Sequence, residues 1–111
     1  AVPREYIVFF DWDKSDLTPQ ALEIIRTAAA NAKAGNVVRL AVTGHADKSG
    51  TDRYNVRLSE RRARAVTAEL GRQGIAQNNI EIAWRGESEP LVPTADGVRE
   101  PQNRRVHIVF R

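Results

Sequence analysis

The sequence predicts an α/β fold, in which four strands form a mixed sheet and two helices pack on one of its faces. Segment 6–10 is a short continuous apolar run, typical of a buried strand. Segments 80–84 and 105–110 alternate apolar and polar residues, as strands with one solvated face do. A third apolar run, 37–43, lies between two helical patterns. The predicted order is therefore β-α-β-α-β-(loop or short helix)-β.

The first helix is predicted from the residues at its two ends. Thr18 precedes Pro19, and this pair is a common helix start because proline is tolerated at the first helical position. Gly35 marks the end of the helix. Between these ends runs an apolar stripe at helical spacing, formed by Leu22, Ile25, Ala29 and Ala32.

The second strand, 37–43, leads through a loop into the second helix. The strand is expected to bury Val38, Leu40 and Val42 on one face. The helix is expected to fill much of Asp52–Arg72, and its buried ridge would be Ala63, Val66 and Leu70. Gly71 and Gly74 would end it. A helix that is continuous from Asp52 is favoured over a helix that restarts with Ser59 as its N-cap.

The loops between these elements indicate where a ligand would bind. Loops 11–18 and 44–51 follow the first and second strands, and helical connections favour parallel strands. Both loops would then leave the same edge of the sheet, where ligands usually bind in open α/β folds. Segment 86–103 contains several prolines and is predicted to be a long surface loop with room for one helical turn.

Length and composition are those of one ordinary globular domain, with 111 residues, 41% apolar and 28% charged. No apolar run is long enough for a membrane helix. Cysteine is absent, which excludes disulfides and thiol chemistry. The net charge of +3 arises in residues 51–111, where eleven arginines stand against eight acids. Arginine suits bidentate contact with carboxylates or phosphates.

Segment 43–66, TGHADKSGTDRYNVRLSERRARAV, is the most informative part of the chain. It places Asp47 in a glycine-bounded loop, and Arg62 lies fifteen positions later on the helix. A fixed carboxylate and a fixed guanidinium can hold a ligand that carries both charges, so the segment indicates a zwitterionic ligand rather than a reaction. Asn55 and Arg62 are two helical turns apart and share a face with Leu58.

Four segments resemble the OmpA-like domain family, in the same order along the chain. They are FFDWDKSDL at 9–17, TGHADKSG at 43–50, YN with LSERRA at 54–63, and NRRV at 103–106. That family includes the C-terminal domain of OmpA, the peptidoglycan-associated lipoprotein and the stator protein MotB. The resemblance spans nearly the whole chain, from Tyr6 to Phe110.

The resemblance implies non-covalent binding of peptidoglycan, without catalysis. Family members hold the diaminopimelate of the stem peptide with an acid and an arginine that correspond to Asp47 and Arg62. The other positions around the ligand correspond to Asp11, Asn55, Leu58 and Arg104. It further implies that residues 1–111 are a single periplasmic domain from a larger outer-membrane or envelope protein. Such a domain would need no cofactor or metal, would not itself contact membrane or nucleic acid, and could form a homodimer.

Each candidate residue also has a simpler structural explanation. Asp47 could cap the following helix, because aspartate is common at that position. Arg62 could be a surface arginine in a weak salt bridge with Glu60 or Asp52. Asn55 could be only a structural hydrogen bonder, and Asp11 could brace its own loop. The sequence alone leaves these alternatives open.

Metal sites are not expected. Segment 11–22 begins like a calcium loop, but Asp16 and Leu22 stand where an EF-hand needs glycine and glutamate. His45 and His107 are the only histidines, which is too few for a typical zinc site. His107 is expected to be a solvated residue on the polar face of the last strand. The aromatic residues expected to pack or to line a rim are Trp12, Tyr54 and Trp84.

Two other functions compete with peptidoglycan binding. A hydrolase of cell-wall peptide could use His45 and Asp47, but it would lack both a nucleophile with a base and a third metal ligand. A nucleic-acid binder would explain the arginine-rich second half of the chain. The eight acids interleaved there, however, interrupt any continuous basic stripe.

Overall fold

Four strands form one mixed sheet in the computed structural model, which describes residues 2–111. They are β1 (Glu5–Phe9), β2 (Leu40–Gly44), β3 (Ile80–Trp84) and β4 (Arg105–Phe110), in the order β1-β4-β2-β3. Strand β4 is antiparallel to β1 and β2, whereas β2 and β3 are parallel. Strands β1, β2 and β3 therefore run in the same direction, and the loops that follow them leave the same edge of the sheet. The predicted fold class is confirmed.

Two helices connect these strands, α1 (Pro19–Ala34) and α2 (Asp52–Arg72). As predicted, Thr18 caps α1, and its hydroxyl accepts a hydrogen bond from the backbone N–H of Ala21. Helix α2 is continuous from Asp52, as favoured from the sequence. Its N-cap is Thr51, and the alternative restart at Ser59 is wrong. Neither helix has the length and apolar character needed to cross a bilayer.

The core lies between the helices and one face of the sheet. Alternate strand residues that face the helices are buried, as period-two patterning requires; they are Tyr6, Val8, Leu40, Val42, Val106, Ile108 and Phe110. The predicted ridge of α2 is fully buried against them, and it comprises Ala63, Val66 and Leu70. Each buried Val, Leu or Ile side chain stabilises the fold by about 1.5–3 kcal/mol.

The ends of two elements differ from the prediction. Strand β2 begins at Leu40, and Val38, predicted to face the core, is 73% exposed. The reason is that the chain is still completing the end of α1 at this point, since the N–H of Val37 donates to the carbonyl of Ala32. Gly71 lies within α2 rather than after it, and only Gly74, at φ 97°, follows the helix.

The long segment between β3 and β4 contains a 3-10 turn, Pro101–Asn103, in the place allowed for one helical turn. Asn103 is fully buried, and its side-chain amide donates to the carbonyl of Val92 and accepts from the N–H of Val92, both at 2.8 Å. These two hydrogen bonds resemble those between paired strands, and they fix Val92 against the segment that leads into β4. A second 3-10 turn, Gln77–Asn79, precedes β3.

Candidate functional site

Helix α2 approaches the end of β2 closely enough to bring the two halves of the 43–66 segment together. Gly44 makes this possible, because a Cβ atom there would collide with the backbone carbonyl of Ser59 on α2. The Ser59 hydroxyl also accepts a hydrogen bond from the N–H of Gly86, at 2.9 Å. The loop after β2 therefore begins along the flank of α2, where the carbonyl of His45 accepts a hydrogen bond from Arg62 in the middle of the helix.

Arg62 is fully buried in the middle of α2. Its guanidinium donates to three backbone carbonyls, from Nε to Lys14 at 2.8 Å, from Nη1 to His45 at 3.0 Å and from Nη2 to Asp11 at 3.2 Å. The guanidinium carbon also lies 5.3 Å from the centre of the Phe10 ring. Arg62 thus joins the loops after β1 and β2 to the helix, and the interpretation as a surface arginine is wrong.

Arg62 keeps its charge and part of its donor capacity. Burial lowers the pKa of Arg62 to about 10, and the negative charge of Asp47 opposes this change, so the side chain is protonated at neutral pH. A guanidinium has five N–H groups, and three of them donate to the carbonyls. One N–H on each terminal nitrogen therefore remains to donate to a further acceptor.

Asp47 is the enclosed anion of the site and is 3% exposed. Its Oδ1 accepts from the N–H and the hydroxyl of Ser49, at 3.1 and 2.6 Å. Its Oδ2 accepts from Nη1 of Arg104 and from the N–H of Glu100, each at 3.2 Å. Burial acts to raise the pKa of Asp47, but these hydrogen bonds outweigh it and hold the pKa below its usual value. The interpretation of Asp47 as the helix cap is wrong, since Thr51 caps α2.

Arg104 is the direct ion-pair partner of Asp47. Its Nε also donates to the carbonyl of Phe10, at 3.0 Å, so it links β1, the loop after β2 and the segment that leads into β4. A cavity of about 300 Å³ opens beside this arginine, and its wall includes Asp11, Thr18 and Pro101. Asp47 does not line this cavity.

The remaining candidates support the site from its edges. Asn55 is buried, and its amide donates to the carbonyl of Gly50 and to the carboxylate of Glu87. It thereby holds the end of the loop after β2. Leu58 is buried on the same face of α2. The side chain of Asp11 is exposed, and this residue contributes its backbone carbonyl to Arg62.

Two groups that bind Asp47 were not found by sequence reasoning. Ser49 carries a local signal, since an aspartate often accepts from the N–H two residues later in the chain. The backbone N–H of Glu100 has no such signal, because it lies 53 positions away. Trp12 and Tyr54 are each 40% exposed, consistent with the predicted rim.

The two histidines lie next to each other, with ring centres 5.4 Å apart. Burial, with help from Arg105, His107 and Arg85, lowers the pKa of His45 to about 3, so its imidazole is neutral. His107 accepts from Nε of Arg105 and lies 3.1 Å from the carboxylate of Glu5. The prediction that His107 is merely solvated is therefore wrong. Among residues 2–111, no group of three or more His, Cys, Asp or Glu side chains could hold a metal ion.

The fold and this arrangement define an α/β domain with an enclosed carboxylate and two buried or nearly buried arginines at one edge of its sheet. A sequence model of the OmpA family matches residues 9–104. The chain belongs to the OmpA family.

Relatives in this family agree in sequence and in structure. The chain is 47% identical over 113 residues to an outer membrane protein of Gluconacetobacter diazotrophicus, with 96% of this chain and 30% of that protein covered. It is 37% identical over 100 residues to the peptidoglycan-associated lipoprotein of Pseudomonas aeruginosa, with 90% and 59% covered. The structure of the peptidoglycan-associated lipoprotein from Burkholderia pseudomallei is similar, with a TM-score of 0.86, 27% identity, and 96% and 90% of the two chains covered. The chain thus spans less than two thirds of the length of the outer membrane protein and of the Pseudomonas aeruginosa lipoprotein.

Proposed function

We propose that this domain binds peptidoglycan non-covalently through the diaminopimelate of the stem peptide, and that it anchors an outer-membrane or envelope protein to the cell wall. The observation that carries this proposal is the enclosed, ionised Asp47 beside the two arginines Arg62 and Arg104. Relatives named as peptidoglycan-associated lipoproteins support it. Residues 1–111 would form a single binding domain in the periplasm.

The chemistry of the ligand matches the charges of the site. The free end of diaminopimelate carries an ammonium and a carboxylate on the same carbon. Asp47 would accept hydrogen bonds from the ammonium, and the remaining N–H groups of Arg62 would hold the carboxylate, with Arg104 beside them. Such charge-assisted hydrogen bonds contribute about 1.5–3 kcal/mol each. Millimolar to micromolar binding corresponds to a binding free energy of roughly 4–8 kcal/mol, which a few such hydrogen bonds can supply. Repeated stem peptides along the polymer add avidity.

The other site residues would act through the shape of the loops. Asn55 and Leu58 would hold the loop after β2 on α2, and Asp11 would position Arg62 through its carbonyl. Arg104 balances the charge of Asp47, which avoids an unpaired buried carboxylate.

Hydrolysis of wall peptides fits the site less well. His45 is buried and neutral, and its depressed pKa makes it a weak base near pH 7. His45 and Asp47 share no hydrogen bond, since the donors to Asp47 are Ser49, Glu100 and Arg104. These two residues are therefore not arranged as a catalytic pair.

Nucleic-acid binding also receives little support, because many of the arginines are already paired. Arg62, Arg104 and Arg105 bind groups within the protein. Five others form ion pairs with neighbouring glutamates, and these are Arg26, Arg39, Arg64, Arg72 and Arg85. A free basic stripe for a phosphate backbone is not present among the described residues.

The test is co-sedimentation with insoluble cell wall that contains diaminopimelate, comparing the wild type with Asp47→Asn. We expect the variant to lose at least tenfold in binding, and Asp96→Asn, which changes an exposed loop carboxylate, to bind like the wild type. Wall with lysine in place of diaminopimelate lacks the second carboxylate and should bind weakly. Full binding by a folded Asp47→Asn protein would refute the site, and absence of wild-type binding would refute the function.

A further inference from the structure

The two residues proposed to hold the ligand are not accessible in this conformation. Asp47 is 3% exposed and Arg62 is 0% exposed. Two surface segments cover them, the loop after β1 and residues 97–100 of the long segment before β4. A ligand can reach Asp47 only if one of these segments moves.

A closed ring of contacts joins the two covering segments over the Asp47 carboxylate. The indole N–H of Trp12 donates to the hydroxyl of Ser49 at 3.0 Å, and that hydroxyl donates to Oδ1 of Asp47 at 2.6 Å. On the other side, the N–H of Glu100 donates to Oδ2 of Asp47. The guanidinium of Arg99 closes the ring, with its central carbon 3.4 Å from the centre of the Trp12 ring. Each oxygen of the carboxylate is thus connected to one member of the Trp12–Arg99 stack.

The Trp12–Arg99 stack is the part of this ring that can open most easily. Both Trp12 and Arg99 are exposed, and stacking of a cation on an exposed aromatic ring is a weak interaction. Nearby, the N–H of Gly97 donates to the carbonyl of Lys48, and Gly97 has a left-handed backbone with φ 83°. Residues 97–100 are therefore attached to the loop after β2 by two hydrogen bonds, from the N–H of Gly97 to the carbonyl of Lys48 and from the N–H of Glu100 to the carboxylate of Asp47. They are attached to the loop after β1 only by the exposed Trp12–Arg99 stack.

We propose that the Trp12–Arg99 stack is a clasp that closes residues 97–100 over Asp47, and that ligand binds only to the open form. This inference rests on the proposed function and adds a control on access to the same site. The observed dissociation constant is then the intrinsic constant divided by the open fraction. Loss of the stack should raise the open fraction by about two- to fivefold, because exposed stacks of this kind have that strength.

The first measurement needs no ligand. Hydrogen exchange of the Gly97 and Glu100 amides reports detachment of the covering segment, since both amides donate to the loop after β2. Arg99→Ala should accelerate both by about two- to fivefold, while Arg57→Ala, which changes an exposed arginine on α2, should leave them unchanged. Unchanged exchange in Arg99→Ala would overturn the clasp.

The second measurement is binding of meso-diaminopimelate to a Trp84→Phe background, in which Trp12 is the sole tryptophan and reports the clasp by its fluorescence. Arg99→Ala should bind about two- to fivefold tighter, mainly through faster association. Trp12→Phe keeps an aromatic face but loses the indole N–H, and it should increase the affinity by a smaller factor. Binding to this variant is measured by calorimetry, because it lacks the reporting tryptophan.

The possible outcomes separate the clasp from the proposed function. Weaker or unchanged binding by Arg99→Ala, in a protein whose Gly97 amide exchanges faster, would overturn gating even if wild-type protein still binds cell wall. If neither the wild type nor Arg99→Ala binds cell wall or diaminopimelate, the proposed function is refuted, and the clasp proposal that rests on it is refuted as well. Binding by Arg99→Ala where the wild type binds poorly would support both.

Discussion

Nη1 of Arg104 lies 3.2 Å from Oδ2 of Asp47, although the two residues are 57 positions apart in the chain. Their side chains are only 12% and 4% exposed, so each charge depends on the other for its stability. The pair forms because the segment that enters β4 lies against Asp47 and Lys48 in the loop after β2. The position of the Asp47 carboxylate is therefore fixed by contacts within the protein.

Arg104→Gln should raise the pKa of Asp47 relative to the wild type. In the wild type, burial acts to raise this pKa, and hydrogen bonds that include the one from Arg104 lower it below the ordinary value. A depressed carboxyl pKa stabilises the fold above the unfolded pKa of about 4, and this stability is lost as the pH falls through the folded pKa. NMR titration of the Asp47 carboxyl carbon measures the change directly.

The same substitution should lower the free energy of unfolding by about 2–3 kcal/mol at pH 7, because it leaves a buried carboxylate short of a charged partner. The difference from the wild type should shrink as the pH falls from the raised Asp47 pKa of the variant through the lower Asp47 pKa of the wild type, because protonation removes the buried charge in both proteins. Arg57→Gln, an exposed arginine, serves as the control. An unchanged Asp47 pKa in Arg104→Gln would show that the ion pair contributes nothing to the site.

Arg62→Ala should destabilise the domain as well as its binding. It would leave the carbonyls of Lys14, His45 and Asp11 without their donor, and we expect a loss of about 3–5 kcal/mol. This substitution alone is therefore an ambiguous test of ligand contact. Arg62→Lys keeps the charge but cannot reach all three carbonyls, and should lose less stability. Urea denaturation of both variants measures these losses. If Arg62→Ala is as stable as the wild type, Arg62 does not hold the loops after β1 and β2 on the helix.

Stability should fall between pH 7 and pH 5 because of His45. Burial and neighbouring cations lower its pKa to about 3 in the folded protein, whereas the unfolded chain has a value near 6.5. As the pH falls below 6.5, the unfolded state binds a proton that the folded state does not, which favours unfolding by about 2 kcal/mol at pH 5.

Comparison of His45→Gln with the wild type isolates this effect. The glutamine variant should show a smaller change in unfolding free energy between pH 7 and 5, measured by urea titration at each pH. His107→Gln, which removes the neighbouring ring but keeps His45, should retain most of the pH dependence. Equal pH dependence in His45→Gln and the wild type would mean that His45 is not held in its neutral form.

Gly44→Ala should separate β2 from α2 and disturb the site at a distance. The added methyl group would collide with the backbone carbonyl of Ser59, which cannot rotate away, and we expect a loss of about 3 kcal/mol or more. Gly35→Ala is the matched control, since its Cβ would lie 3.3 Å from the nearest atom and its backbone φ is −91°. Thermal denaturation distinguishes them, and equal stability of the two variants would contradict the close approach.

Sequence reasoning succeeded where the signal was local and failed where it was not. The Thr18-Pro19 start of α1 and the positions of β3 and β4 were correct, because caps and side-chain periodicity depend on residues a few positions apart. The solvated face expected for β4 was not, since Arg105 on that face is buried. The start of β2 was missed because Val37 still bonds to the end of α1. The burial of Arg62 was not predictable from its polar neighbours, since it depends on how closely α2 approaches β2 at Gly44.

By itself, the sequence predicted the α/β fold class, favoured a continuous second helix and indicated the residue types of a proposed site for a zwitterionic ligand. Only the tertiary structure decided which groups meet there. Asp47 is paired with Arg104 and with the backbone of Glu100, which lie 57 and 53 positions away. The physical reason is that β4 inserts between β1 and β2, and this long-range pairing carries the segment before β4 onto the loop that holds Asp47.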